Sequence, residues 1–161
     1  MNLYTPAQTH SDKINAPLDA RPQIPSWEHF TQQTKTGLRG YGHCPAEAFS
    51  QTALALMAVI TDPRHIQACE TFVLECRAPD PEKLLLDWLN SLSCEMTSRS
   101  IVCCAVDVHI NGHHLYSTLW GEVFNPLRHE LVINPQELGY SEVRVESLDE
   151  DCWLAQCSVD V

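Results

Sequence analysis

The dipeptide Asn111-Gly112, set between two stretches of strand-forming residues, most constrains how this chain of 161 residues can fold. Both residues tolerate the positive φ angles of a type I′ turn, the tight turn that joins neighbouring antiparallel strands. Before the turn, Val106, Val108 and Ile110 alternate with polar side chains, as in a strand with one buried face. The chain then returns through residues 114–120, so the second half is predicted to contain a β-hairpin.

Two helices are predicted in the first half from their start positions and from apolar periodicity. Pro45 is placed where a helix can begin, because the N–H that proline lacks would have no partner at the first helical position. Asp62-Pro63 ends this helix, since proline disfavours the helical conformation for the residue before it. The second helix begins at Asp80-Pro81, where aspartate can cap the first turn. One face of that helix is apolar, and it consists of Leu85, Trp88, Leu89, Leu92 and Met96.

A short strand is predicted at residues 36–42, where glycines flank the core, and another at residues 71–77, which are rich in Phe, Val and Leu. Two more strands, at residues 140–146 and 153–160, close the chain. The elements then follow in the order β-α-β-α-β-β-β-β. This order predicts an α+β fold in which two helices pack on one face of a mostly antiparallel or mixed sheet. Prolines recur without apolar periodicity in residues 1–26, so we expect a flexible leader followed by one domain that spans residues 27–161.

The charge balance narrows the class of partner. The chain has 21 acidic and 10 basic residues, which gives a net charge of −11, and the basic residues do not cluster. Proteins that follow nucleic-acid phosphates depend on clustered Lys and Arg, so direct nucleic-acid binding is not expected. A basic protein partner or a cation is favoured instead.

The eight cysteines, together with an N-terminus that opens no apolar stretch, favour the reducing cytoplasm and thiols that pack as small apolar groups. No apolar run approaches the roughly 20 residues that a membrane-spanning helix requires, so no membrane contact is expected. Cys103 and Cys104 are adjacent in a predicted strand, so they point to opposite faces and cannot act together. An enzyme that depends on a cysteine or a histidine is a further, less favoured alternative.

Three groups of residues are candidates for metal binding. Three histidines flank the hairpin turn, namely His109, His113 and His114. They form either an exposed polar tip, which we favour, or a metal clip. The turn at residues 149–151 is favoured as solvated, because it lacks the spacing of an EF-hand loop. Asp160 precedes Val161, and a side-chain carboxylate beside a terminal carboxylate suits Ca²⁺ or Mg²⁺, although a solvated chain end is the favoured alternative.

Eight pieces of sequence between about Ser26 and the C-terminus occur together in one known family. They are Trp27-Glu28-His29-Phe30, Gly37-Leu38-Arg39-Gly40-Tyr41-Gly42, Glu47-Ala48-Phe49, Ala53-Leu54-Ala55-Leu56, Leu85-Leu86-Asp87-Trp88-Leu89-Asn90, Trp120-Gly121-Glu122, Arg128-His129-Glu130 and Ala155-Gln156-Cys157-Ser158-Val159-Asp160-Val161. In this order and combination they resemble the archease family. The resemblance implies a protein that is not itself an enzyme. It would activate an RtcB-type RNA ligase in tRNA splicing and RNA repair by promoting guanylylation of the ligase and its repeated turnover.

The resemblance also implies a divalent cation, Ca²⁺ or Mg²⁺, bound between an Asp of the first strand, the Asp of the last strand and the chain terminus. The last two correspond to Asp160 and Val161. The first-strand Asp position is Lys35 in this chain, and an ammonium group repels a cation and cannot ligate it. We therefore expect a salt bridge between Lys35 and Asp160 in place of the metal.

Other polar positions of the family pattern differ as well: Gln32 stands at a His position, Asn125 at an Asp position and Gly139 at a Thr position. Positions that specify packing are kept, whereas several that specify chemistry are changed. Two functions therefore follow from the resemblance. One is the activation of an RtcB-type ligase, and the other is that of a divergent binding module that has lost metal binding and ligase activation.

Overall fold

The computed structural model describes residues 23–160, which form seven strands and two helices. The strands are β1 (Ser26–Gln32), β2 (Lys35–Gly42), β3 (Glu70–Arg77), β4 (Ile101–Asn111), β5 (His114–Val123), β6 (Gly139–Asp149) and β7 (Cys152–Asp160), and the helices are α1 (Pro45–Ile60) and α2 (Pro81–Arg99). Short 3-10 turns occur at Pro63–His65 and Pro135–Glu137. Of the predicted leader at residues 1–26, the first 22 residues lie outside the described part, so its role stays a prediction.

Both helices begin at the predicted prolines. Pro45 opens α1, and Pro81 opens α2 directly after Asp80. The Asp80 carboxylate accepts a hydrogen bond from Lys83 N at 2.8 Å, so it satisfies one of the unpaired N–H groups of the first turn. The last residue of α2 is Arg99, and the C-cap residue Ser100 adopts a left-handed φ of 55°.

The strands form two antiparallel sheets, a larger one in the order β1-β2-β7-β6 and a smaller one in the order β3-β5-β4. The predicted α+β class is confirmed, but the single sheet of the prediction is divided in two. The reason is that β5 already pairs with β3 on one edge and with β4 on the other. The chain after β5 therefore crosses through residues 124–138 before β6 pairs with β7.

Strand β1 was absent from the predicted order because its polar residues are not on a solvent face. Trp27 packs against the main core, and His29 Nε2 lies 2.8 Å from Ala55 O of α1. Glu28, between them, points to the opposite face and is only 1 % exposed. A buried carboxylate and a half-buried imidazole remove the alternation of apolar and polar side chains by which half-buried strands are detected.

One main hydrophobic cluster joins the helices to both sheets. Trp88 of α2 is fully buried, stacks near Phe49 of α1 at a ring-centroid distance of 6.2 Å, and donates from Nε1 to Ser117 Oγ of β5 at 2.9 Å. α1 packs very close to β2. A Cβ added at Gly40 of β2 would stand only 2.5 Å from Thr52 N of α1. Neither helix of the described chain has the length and apolar character needed to cross a membrane.

Candidate functional site

Lys35 and Asp160 form an ion pair at one end of the larger sheet. β1 turns into β2 through a two-residue turn in which Gln33 has a left-handed φ of 57°. The antiparallel register of β2 and β7 then places the first residue of β2 beside the last residue of β7. Lys35 Nζ lies 3.2 Å from Asp160 Oδ1, and the two side chains are 34 % and 44 % exposed.

The hydroxyl of Ser141, on β6, bridges the two charged groups. Lys35 Nζ donates to Ser141 Oγ at 3.4 Å, and Ser141 Oγ donates to Asp160 Oδ2 at 3.3 Å. The pairing of β6 with β7 brings this residue to the same sheet end, because Gly139 lies opposite Asp160. The ion pair is thus held by three strands rather than by two.

Glu142, Ser158 and Gln32 form the second part of this polar cluster. β6 is bulged after Ser141, and within the bulge Glu142 has a left-handed φ of 53°. The buried Ser158 hydroxyl donates to Glu142 Oε1 at 2.8 Å, and Gln32 Oε1 lies 3.4 Å from the same Ser158 Oγ. The 2.8 Å contact with Glu142 is the shorter of the two, so it is the main hydrogen bond of the Ser158 hydroxyl.

We refer to this cluster as the polar sheet end, and it consists of Gln32, Lys35, Ser141, Glu142, Ser158 and Asp160. It has oxygen atoms of the kind that bind hard cations, but it also contains an ammonium group. The Lys35 ammonium donates hydrogen bonds and has no lone pair to offer a metal. In residues 23–160, no three His, Cys, Asp or Glu side chains are grouped to hold a metal ion. With the Lys35 ammonium on Asp160, the donor set of the polar sheet end does not fit a divalent cation.

The other positions singled out in the sequence have different surroundings. Val161 lies outside the described residues, so its assignment as a metal ligand stays a prediction. Gly139 adjoins the polar sheet end, and a Cβ added there would come no closer than 3.9 Å to Asp160 Cβ. Asn125 belongs to a turn in the connection between β5 and β6, where its Oδ1 accepts from Leu127 N at 3.0 Å.

A buried carboxylate, that of Glu122, organises this turn. Glu122 is 6 % exposed and accepts hydrogen bonds from Gln67 N at 2.7 Å and from Arg128 Nη1 at 3.0 Å. It also accepts from His129 Nε2 at 2.9 Å, while His129 Nδ1 accepts from Asn125 N, so the imidazole proton is on Nε2. The Arg128 guanidinium and these further bonds lower the pKa of Glu122 to about 2.

A second buried carboxylate, that of Glu28, ties three strands of the larger sheet together. It accepts from Arg39 Nη1 at 2.9 Å and from Tyr41 Oη at 3.0 Å. Arg39 also donates from Nε to Gln156 Oε1 on β7 at 3.0 Å. Burial and the neighbouring Glu28 raise the pKa of Tyr41. These residues belong to the motifs of the family pattern, but their contacts depend on strand register, which the motifs do not specify.

Two of the three hairpin histidines, His109 and His114, contact separate acids. His109 Nε2 lies 3.0 Å from Asp107 Oδ2, and His114 Nε2 lies 3.1 Å from Glu75 Oε1 on another strand. This arrangement agrees with a polar hairpin tip. It differs from a metal clip, in which the imidazoles would face one common point.

Two buried thiols are unsuited to nucleophilic catalysis. Burial raises the pKa of Cys103 and of Cys157 to about 12, so both remain protonated at neutral pH. The thiolate, rather than the thiol, is the nucleophile in cysteine-dependent enzymes. The structure therefore gives no support to an enzyme built on either residue.

Known proteins are similar to this chain in sequence and in fold. The profile of the family described as "Archease protein family (MTH1598/TM1083)" matches residues 27–161. "Protein archease" of Thermococcus kodakarensis is 32 % identical over 84 % of this chain and 98 % of its own length, and so is that of Pyrococcus furiosus. The protein of Saccharolobus islandicus is 30 % identical over 84 % of this chain and 99 % of its own length.

The solution structure of Methanobacterium thermoautotrophicum protein 1598 has a similar fold. Its TM-score is 0.67 at 24 % identity, and the match covers 84 % of this chain and 99 % of that one. The fold is thus that of a small α+β domain whose two helices contact both of its antiparallel sheets. The sequence matches show that the chain belongs to the archease family.

Proposed function

We propose that this protein is a non-catalytic accessory protein that activates an RtcB-type RNA ligase in tRNA splicing and RNA repair. It would promote guanylylation of the ligase and its multiple turnover. The observation that carries the proposal is family membership over residues 27–161. The net charge of −11 supports a protein as the direct partner, because RNA phosphates repel such a surface. We place this activity in the cytoplasm, where free cysteines stay reduced.

We further propose that the ion pair between Lys35 and Asp160 takes the place of the divalent cation that the family implies. The contact of 3.2 Å supports this, because a fixed ammonium balances the Asp160 carboxylate as a bound cation would. Ser141 supports the same geometry by contacting both charged groups. On this proposal the protein acts without Ca²⁺ or Mg²⁺ of its own.

The test of ligase activation is multiple-turnover ligation of RNA ends by the RtcB-type ligase of the same source. We expect equimolar accessory protein to increase the rate of repeated turnover over that of the ligase alone. The guanylylated fraction of the ligase, measured with labelled GTP, should rise in parallel. Ligation and guanylylation rates that are unchanged by this protein would contradict the proposal.

A second function is favoured by one specific observation, the lysine at position 35. A divergent binding module that has lost metal binding and ligase activation would also keep the packing residues while its polar sheet end changed. The ligation assay separates the two functions. Such a module would bind a protein partner and leave the rate of ligation unchanged.

Substituting Lys35→Asp is predicted to create a cation site at the polar sheet end. The change removes the ammonium and places a third carboxylate near Asp160 and Glu142, which suits Ca²⁺ or Mg²⁺. Calorimetric titration should show affinity at least about 10-fold above that of the unchanged protein, a gain of about 1.4 kcal/mol.

Lys35→Met is the matched control, because it removes the charge without adding a ligand. It should gain less affinity than Lys35→Asp does. Tight cation binding by the unchanged protein would show that Lys35 does not replace the metal, and equal affinities in all three proteins would exclude a cation site at this position.

A further inference from the structure

The end of β5 and the connection that follows it have a concentration of exposed apolar side chains. Among the residues that the structure describes, seven large hydrophobic side chains are exposed, and four of them lie within residues 123–132. We call these four the apolar patch: Val123, Leu127, Leu131 and Val132. Leu127 is 92 % exposed and Val132 is 72 % exposed. Large apolar side chains that are exposed close together in the chain are candidates for contact with another molecule.

Leu127 lies at the tip of a turn that is held by many hydrogen bonds. Asn125 O accepts from Arg128 N at 2.9 Å and from His129 N at 2.7 Å, and Asn125 Oδ1 accepts from Leu127 N. Arg128 and His129 are in turn bound to the buried Glu122 carboxylate. These hydrogen bonds order the turn, but they do not bury the Leu127 side chain in the free protein. An anchor that is already ordered loses little entropy when it binds.

Both ends of the apolar patch are fixed to the core by backbone bonds. Phe124 N donates to Ser100 O at 2.7 Å, next to the start of β4. Val132 N donates to Ile60 O at 2.7 Å, at the last residue of α1. The patch is therefore presented by the folded domain as a fixed surface rather than by a free loop.

The charges around the apolar patch indicate which partner fits it. Glu130 and Glu137 are exposed on the same connection, and Arg128 is neutralised by its contact with Glu122. A second copy of this chain would bring the same negative charge to the interface, with a net −11 on each side. A partner with Lys and Arg around an apolar pocket has the complementary charge.

We propose that the apolar patch docks on the partner ligase, with Leu127 inserted in an apolar pocket that has a basic rim. This inference rests on the proposed function. The connection that carries the patch runs directly into Gly139, which pairs with Asp160.

The experiment measures binding of the full-length protein to the RtcB-type ligase of the same source by biolayer interferometry. Leu127→Asp and Val132→Asp should each weaken binding by about 10-fold or more, as expected for an anchor residue. The matched control is Leu148→Asp, since Leu148 is 46 % exposed on β6, and it should change the affinity less than about 2-fold. Melting temperatures of all variants should match that of the unchanged protein, because the altered side chains are exposed.

The outcomes separate this inference from the proposed function. If the unchanged protein binds and activates the ligase but Leu127→Asp does so equally well, the docking surface is wrong and the proposed function stands. If the unchanged protein neither binds nor activates the ligase, both fail. If Leu127→Asp dissolves a dimer seen by sedimentation while ligase binding is kept, the patch joins two copies and the inference is overturned. Binding that does not weaken with added salt would exclude the basic rim.

Discussion

Single carboxylates decide much of the local structure of this protein. A charge withdrawn from water is tolerated only where hydrogen bonds and opposite charges replace the solvent, and Glu28 and Glu122 each have such partners. Glu28 joins β1 to β2, whereas Glu122 holds the turn that presents Leu127. Lys35 differs from both, because its pair with Asp160 is partly exposed, and exposed pairs contribute about 0–1 kcal/mol to stability.

The lowered pKa of Glu122 predicts how stability depends on pH. Its pKa falls from 4.5 to about 2 on folding, so the charged form stabilises the native protein fully above pH 4.5. This contribution is lost as the pH falls toward 2. Glu122→Gln should melt at a lower temperature than the unchanged protein at pH 7, and the difference should narrow as the pH falls from 4.5 to 2.

Thermal unfolding followed by circular dichroism at a series of pH values measures this difference. Glu137→Gln is the control, because Glu137 is exposed, and its melting temperature should follow that of the unchanged protein. A gap between Glu122→Gln and the unchanged protein that stays constant over this range would contradict the assigned role of Glu122.

At the scale of elements, the close packing of α1 on β2 positions the strands that form the polar sheet end. Gly40 makes this approach possible because it has no side chain at the point where the helix backbone passes. β2 then pairs with β1 on one side and with β7 on the other. Lys35 and Asp160 consequently reach the same sheet end.

Gly40→Ala is predicted to destabilise the protein by about 1–3 kcal/mol, because the new methyl group must push α1 away from β2. Its Cβ would lie 2.5 Å from Thr52 N, a backbone atom that cannot move alone. Gly139→Ala is the matched control, since its Cβ would meet no atom closer than 3.9 Å. Urea unfolding measures both free energies, and equal values for the two variants would contradict this account of the packing.

At the scale of the whole molecule, the two sheets share one core. The main hydrophobic cluster contains Leu38 of the larger sheet, Leu119 of the smaller sheet and residues of both helices. Unfolding of either sheet would expose core side chains that pack against the other sheet. The described domain is therefore expected to unfold as one unit.

Unfolding in guanidinium chloride should show a single transition. Tryptophan fluorescence, which reports on Trp88 among others, and far-UV circular dichroism should give coincident curves. Two midpoints, or a fluorescence change that precedes the loss of secondary structure, would show that the sheets unfold separately.

Local pattern was sufficient wherever the controlling interactions are close in sequence. Asp80, Pro45 and Asn111-Gly112 act on their own neighbours, and both helices and the hairpin were predictable from them. The family resemblance pointed to Lys35 and Asp160 as candidate site residues. Glu142 had no comparable signature, because it reaches the polar sheet end only through the bulge in β6.

The sequence by itself determined the α+β class, the two helices, the hairpin, the excess of negative charge and the family. The tertiary structure decided the division into two sheets, the burial of Glu28 and Glu122, and the assembly of the polar sheet end. The physical reason is that these features depend on pairing between strands far apart in the chain. Such pairing depends on which strand edges remain free and on how side chains fill the shared core. Local periodicity in the sequence predicts neither of these.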